Sequence, residues 1–312
     1  MKLLVTGGAG FIGSNFIHYW LAKHKKDEII NIDKFTYAAN KANLSGLPKD
    51  RHTLIIGDIA DKELIDKNVN DVDVVVNFAA ESHVDNSIED SGPFIHSNIV
   101  GVHTLLNSIK KYEKRFHQIS TDEVYGSLPL NSSNKFTENS PYNPRNPYAA
   151  TKAAADHLVR AYFNTYKIKA TISNCSNNFG PRQHIEKLIP KTITNAIQNK
   201  EIPIYGNGAQ VRDWIYVEDH CSAIEIILKD GRLGETYLIS AQNELRNIDV
   251  VKKVLDIFGK PESLIKYVAD RPGHDVRYAI EPNEIRKLGW RPKYKFDTAL
   301  GQTIDWYIKE YT

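Results

Sequence analysis

Two short segments hold the residues best suited to chemistry, Ser120-Thr121-Asp122-Glu123-Val124-Tyr125-Gly126 and Tyr148-Ala149-Ala150-Thr151-Lys152. Tyr148 and Lys152 are four apart in a strongly helical stretch, so both project from one helix face. An ammonium beside a phenol is expected to lower the phenol's pKa. A phenolate formed near neutral pH can take a proton from a hydroxyl while a hydride leaves the same carbon. The triplet Thr121-Asp122-Glu123 adds a hydroxyl and two carboxyls just past Phe116 to Ser120, which predicts a strand. Ligands of open α/β sheets bind outside the C-terminal ends of strands. Because a tyrosine and a lysine four apart also occur on ordinary surface helices, the weight of the pair depends on what positions it.

The chain opens with an apolar run, Leu3-Leu4-Val5, that breaks into Thr6-Gly7-Gly8-Ala9-Gly10-Phe11-Ile12-Gly13 and then into an amphipathic stretch through Trp20 and Leu21. This predicts strand, glycine turn and helix. Gly7, Gly10 and Gly13 permit a tight turn, close approach to a pyrophosphate and helix–strand packing, while Phe11 and Ile12 begin the helix whose free N–H groups meet phosphate. A second strand, Glu28 to Ile32, ends in Asp33, 20 residues after Gly13, the spacing at which a carboxylate meets adenosine ribose hydroxyls. Its charge repels a 2′-phosphate and favours NAD over NADP, although the adjacent Lys34 weakens that preference.

Strand and helix signals go on alternating: Thr53 to Ile56, a polar helix at 62–67, the apolar strand Val72 to Phe78, a long helical region from Ile88 to Tyr112, then Phe116 to Ser120, the Tyr148 helix to Tyr166, and Ala170 to Asn174. The pattern predicts an α/β fold, a Rossmann-type doubly wound parallel sheet. From Cys175 the rhythm changes to short strands, turns, aromatics and arginines, which predicts a smaller mixed C-terminal lobe for substrate. We expect a dinucleotide-binding domain over residues 1–175, with return segments near 215–240, and a substrate lobe over 176–312, the boundary being discontinuous.

The 312 residues, 41% hydrophobic and 25% charged, are enough for a full core. A net charge of +2 is too small to argue for nucleic acid. No apolar run approaches about 18 residues, so no membrane span is expected, and the chain passes from Met1 straight into a strand without a leader pattern. Two cysteines, Cys175 and Cys221, do not make a disulfide framework. A cytoplasmic location is expected. The eleven histidines are scattered, His83 and His117 without spaced carboxylate or cysteine partners, so no metal site is expected.

The opening glycine motif together with Tyr148 and Lys152 resembles the extended short-chain dehydrogenase/reductase family that acts on nucleotide sugars. More narrowly, the segments 77–85 (NFAAESHVD), 120–126 (STDEVYG), 174–181 (NCSNNFGP), 186–190 (EKLIP), 205–219 (YGNGAQVRDWIYVED) and 267–278 (YVADRPGHDVRY) resemble the dTDP-glucose 4,6-dehydratase family. The resemblance implies oxidation of hexose C4 with bound NAD, loss of water across C5 and C6, and return of the hydride to C6. It gives Tyr148 the role of base at the 4-hydroxyl, with Thr121 bonding the same oxygen and Lys152 also holding the nicotinamide ribose. It gives Asp122 the role of acid for the departing 6-hydroxyl and Glu123 that of base at C5, which requires Asp122 to have a raised pKa. Asp58, Ile59, Ala79, Ala80 and Ser82 match its cofactor contacts. His83, Asn177, Lys187, Arg212, Asn247, Arg271 and His274 match substrate contacts, with the two arginines suited to a diphosphate. A homodimer through the helices at 99–109 and 153–162 is likewise implied. Asn86 stands where the family carries Arg, and the stretch 127–135 is compact, so UDP-glucose stays open as the substrate. A nucleotide-sugar 4-epimerase or decarboxylase is the rival on this fold, and neither reaction needs an Asp-Glu pair in that place.

Overall fold

The computed structural model describes residues 1–311. Its centre is a seven-stranded sheet of β1 (Lys2–Thr6), β2 (Glu28–Asp33), β3 (His52–Ile56), β4 (Val74–Asn77), β5 (Arg115–Thr121), β6 (Lys169–Cys175) and, after three strands placed elsewhere, β10 (Thr236–Ile239). The order is β10-β6-β5-β4-β1-β2-β3 and every pairing is parallel. Leu3, Leu4 and Val5 are fully buried, as strands covered on both faces must be.

Helices α1 (Phe11–Lys23) and α8 (Val217–Asp230) cover one face through Phe16, Ile17, Trp20, Cys221 and Ile224. On the other face lie α2 (Lys62–Asn70), α5 (Val102–Tyr112) and α6 (Pro147–Tyr166), through Ile65, Leu105, Leu106, Ile109 and Val159. The strand order reverses between β1 and β4, which opens a crevice at the carboxyl ends of β1, β4 and β5.

The smaller lobe contains β7 (Asn177–Phe179), β9 (Val211–Tyr216) and β11 (Glu244–Arg246) in one mixed sheet and a parallel pair of β8 (Ile202–Tyr205) with β12 (Ile265–Val268). Around them pack α7 (Leu188–Ile197), α9 (Asn247–Phe258) and α11 (Phe296–Tyr311), with Phe179, Ile193, Trp214, Val254 and Leu300 at the centre, while α10 (Asn283–Lys287) lies against β10.

Two sequence expectations change. The helical region 88–112 is broken: α3 (Val84–Glu89) stops at the extended Asp90, α4 (Gly92–Ile95) restarts, and residues 96–101 form a π-helical turn before α5. Within the return segment expected near 215–240, the first strand, β9 ending at Tyr216, belongs to the small sheet, and β10 is the strand that rejoins the main one.

Candidate active site

The crevice is a deep cleft whose floor is built from β1 and α1. Gly7 has φ +68°, and a Cβ there would come within 2.6 Å of the Ala79 backbone nitrogen; a Cβ on Gly13 would come within 2.4 Å of the Gly7 carbonyl. Only hydrogen fits at either place. No side chain caps α1 and no acidic residue stands in its first turn, so its N–H groups and positive dipole end are left for an anion. Gly7, Gly10, Phe11, Ile12 and Gly13 all line the cleft.

Asp33, also in the lining, ends β2 and accepts hydrogen bonds from Ala9 N and Phe35 N, both at 2.8 Å. Burial raises its pKa while these two donors oppose the rise. Lys34 turns to Asp58, 2.7 Å away, and His96 approaches the same carboxyl at 2.9 Å. Burial works against the Asp58 charge, but Lys34, the Ala60 N–H and His96 outweigh it and hold the carboxyl at about 2. Ile59, Ala79, Ala80 and Ser82 complete this half of the cleft. A dinucleotide suits it: glycines where a pyrophosphate must come close, an uncapped helix end, and a carboxylate at the β2 terminus.

The other half brings together Thr121, Asp122, Glu123, Tyr148 and Lys152. Thr121 closes β5 and caps the single 3₁₀ turn Asp122–Tyr125, its hydroxyl accepting from Glu123 N at 3.3 Å, which sets both carboxyls at the strand end. Asn146 caps α6 by accepting from Ala149 N at 2.8 Å, and its amide donates to Glu123 Oε2 at 3.5 Å. Pro147 at the first helical turn fixes where Tyr148 emerges.

Asp122 is 2% exposed and its Oδ2 has no partner; burial, then Glu123 and Asp213, drive its pKa well above the carboxylate range. Burial also raises Glu123, against the pull of Arg271 and Arg212. The lowered phenol pKa expected for Tyr148 is not what the protein imposes. Burial, with Glu123 and Cys175, pushes the phenol well above its ordinary value, while a hydrogen bond with Thr121 works the other way. The Lys152 ammonium donates to the Ile119 carbonyl at 2.7 Å, so it is turned to the sheet. Burial lowers its pKa and Asp156 raises it.

Of the residues matched to substrate, Asn177 and Lys187 line the same cleft beside Thr121, Lys187 donating to the Ser82 carbonyl at 3.2 Å. His83, Arg212, Asn247, Arg271 and His274 lie outside its lining. His83 bonds Asn86 at 2.9 Å and stands 3.7 Å from Glu186. Arg271 meets Asp85 at 3.4 Å, and His274 meets Asp270 at 2.6 Å. Arg212 donates to the Asp275 carbonyl at 2.9 Å and lies over the Tyr278 ring at 4.4 Å. Asn247 opens α9 with its Oδ1 buried and unpartnered. Both arginines nevertheless act on Glu123 electrostatically, which puts this second group along the carboxylate side of the site.

Three participants escaped the sequence reading. Tyr278 donates to Asp275 Oδ2 with its hydroxyl 3.4 Å from Glu123 Oε2, Glu186 lines the cleft, and Asn98 in the π turn clasps the Glu81 backbone on both sides, accepting from its N–H at 2.9 Å and donating to its carbonyl at 3.1 Å. Tyr278 and Glu186 sit inside segments that carry the resemblance; for Asn98 the sequence holds no signal.

The GDP-mannose 4,6 dehydratase family model matches residues 4–303. A dTDP-glucose 4,6-dehydratase of Mycolicibacterium smegmatis is 50% identical over 309 residues, 98% of this chain and 93% of that protein. Among solved structures, the Streptomyces venezuelae dTDP-glucose 4,6-dehydratase DesIV, with NAD and dTDP bound, superposes with a TM-score of 0.96 at 44% identity, covering 99% of this chain and 97% of the other. A UDP-glucuronic acid 4-epimerase of Bacillus cereus, with UDP-glucuronic acid and NAD, gives 0.93 at 27% identity over the whole of both chains.

Proposed function

Because the chain belongs to the GDP-mannose 4,6 dehydratase family and shares half its residues with a dTDP-glucose 4,6-dehydratase, we propose that it converts dTDP-glucose to dTDP-4-keto-6-deoxyglucose. It is then a hydro-lyase. The observation that carries this reading is the buried Asp122–Glu123 pair beside Tyr148, with Asp122 Oδ2 free to donate. A 4-epimerase moves a hydride off and onto one carbon and has no use for an acid and a base on its neighbours.

The glycine turn, the α1 N-terminus, Asp33, Asp58, Ile59 and the 79–82 loop would hold NAD. When bound, NAD supplies a hydride acceptor for C4, a hydride donor for C6, and a positive ring charge that favours the phenolate. Tyr148 takes the 4-hydroxyl proton, with Thr121 bonding the same oxygen and Lys152 steadying the phenolate and the nicotinamide ribose. Once C4 is a ketone the C5 hydrogen is acidic, and Glu123 removes it as Asp122 protonates the leaving 6-hydroxyl. Glu123 later returns a proton to C5. Arg212 and Arg271 are assigned to the diphosphate, and His83, Asn177, Lys187, Asn247 and His274 to the rest of the nucleotide sugar.

In this reading residues 1–175 and 215–240 serve the cofactor and the remainder serves substrate, a division supported by the place of β10 in the main sheet. Assembly as a homodimer through α5 and α6 is supported by exposed Ile95 at the end of α4 and Val100 in the π turn, both leading into α5, and by exposed Tyr166 at the end of α6. Among the described residues no helix is long and apolar enough to cross a membrane, and both cysteines are free, which suits the cytoplasm. The test is to incubate the pure protein separately with dTDP-glucose and UDP-glucose and to identify the product by mass and NMR. A 4-keto-6-deoxy product from the dTDP sugar is expected; a C4 epimer would overturn the reading.

A further inference from the structure

The proposed reaction leaves the protein's protons out of place. The hydride that leaves C4 is regained at C6, so the electrons balance within the sugar. The C5 proton goes to Glu123, and after exchange with solvent Glu123 gives one proton back to C5, which leaves its own charge unchanged. The 4-hydroxyl proton stays on Tyr148, because the product keeps its ketone, and the proton that leaves as water with the 6-oxygen comes from Asp122. Each turnover therefore ends with Tyr148 protonated and Asp122 ionised, the reverse of the state that starts the next. One proton must pass from the phenol to the carboxylate before the site can work again.

Among the described residues, one hydroxyl touches both. Thr121 shares a hydrogen bond with the Tyr148 phenol, and its Oγ1 donates to Asp122 Oδ1 at 3.4 Å. Thr121 and Tyr148 are each 9% exposed and Asp122 is 2% exposed, so bulk water has poor access to the step. A hydroxyl carries one proton and two lone pairs, which lets it donate to whichever neighbour is ionised while accepting from the other. We propose that Thr121 is the relay that resets this site: Tyr148 O–H gives its proton to Thr121 Oγ1 as the Thr121 proton moves to Asp122 Oδ1, restoring phenolate and carboxylic acid with no net exchange with solvent. The proton arrives on Oδ1, and a half-turn of the carboxyl about its Cβ–Cγ bond carries it to the side that Oδ2 holds, where no protein group claims it. A rival outlet runs along α6, where Lys152 and then Asp156 follow Tyr148 at successive four-residue steps.

The inference rests on the dehydratase reading, and rapid-quench kinetics separate the two. The holoenzyme is mixed with dTDP-glucose and product is counted per active site, for the unmutated protein, Thr121→Val and Thr121→Ser. Thr121→Val also lacks the bond to the 4-oxygen, so its first turnover should be slower than the unmutated protein's, and its later turnovers slower again by on the order of 10²-fold, with only the later ones rising with added imidazole as an external proton carrier. Thr121→Ser should turn over without a burst, and the unmutated protein should ignore buffer concentration. Infrared difference spectra supply a readout of proton position: after one turnover the protonated-carboxyl stretch of Asp122 should stay missing in Thr121→Val and return in the other two. A Thr121→Val protein that is equally slow in its first and later turnovers, or a burst in Asp156→Asn instead, overturns the relay while leaving the dehydratase reading intact. Absence of 4-keto-6-deoxy product from the unmutated protein sinks the reading itself.

Discussion

Asp156 lies one helical turn beyond Lys152 on α6, fully buried, and is the carboxyl that supports the lysine's charge against desolvation. Burial raises its carboxyl pKa, and against that rise Lys152 acts first, with Oδ2 also accepting from Ser120 Oγ at 2.8 Å, Tyr142 OH at 2.9 Å and Asn174 Nδ2 at 3.0 Å. Asp156→Asn removes that charge and lets burial lower the Lys152 pKa further. Activity that needs the ammonium should then fail earlier as pH rises, so the alkaline limb of the kcat profile should move to lower pH. An unmoved limb would show that Lys152 is held charged by other groups.

Tyr148→Phe keeps the ring against Phe94, whose centroid is 6.3 Å away, and deletes only the base. Oxidation at C4 should slow by about 10² to 10⁴-fold with the thermal melt unchanged. Near-normal turnover would assign the hydroxyl proton to another residue.

Deuterium at substrate C4 should reappear at product C6, with a solvent hydrogen at C5. Asp122→Asn should leave C4 oxidation running while slowing loss of the 6-hydroxyl, seen as accumulated reduced cofactor absorbance. Glu123→Gln should slow C5 exchange with solvent deuterium. Label returned to C4 in inverted configuration would replace dehydration by epimerisation.

The parts of this site that were legible in the sequence are those fixed by local backbone demands. Gly7 and Gly13 stand where only hydrogen fits, and Thr121, Asp122 and Glu123 are neighbours on one turn, so type and spacing sufficed. Arg271 and Tyr278 reach Glu123 from about 150 residues away, a proximity only the fold creates. Sequence spacing placed Tyr148 and Lys152 one turn apart on one helix, as α6 has them, but could not show that the Ile119 carbonyl would claim the ammonium or that burial would dominate both pKa values.

NAD should bind far better than NADP. Asp33 stands at the β2 terminus, and Lys34, the cation that might have answered a 2′-phosphate, is already paired with Asp58 at 2.7 Å. Burying a carboxylate against a phosphate dianion costs several kcal/mol. Calorimetry showing equal affinities would rule this out.

Asp213 gives stability a pH dependence of unusual sign. Burial pushes its carboxyl from an ordinary 3.8 up to about 6, the hydrogen bonds from Ser240 and Asn243 opposing. Between those values the fold holds more protons than the unfolded chain, so the Asp213 contribution is present at low pH and is lost as pH rises to about 6. Urea unfolding should show the unmutated protein losing about 1–3 kcal/mol relative to Asp213→Asn across that window. A pH-independent difference would mean that Asp213 titrates normally.

The π turn at residues 96–101 carries one residue more than an ordinary helical turn would, and the surplus is what faces Asn98 toward Glu81 and Thr151, joining the cofactor loop to the catalytic helix. Chain length is therefore itself a determinant here: deleting Asn98 from 96–101 would restore regular winding with the later positions still in phase, remove the widened turn, and uncouple loop from helix without altering any side chain that lines the cleft. Relatives that shorten or lengthen at this point would be expected to differ in how firmly they retain their dinucleotide, even with identical cleft residues.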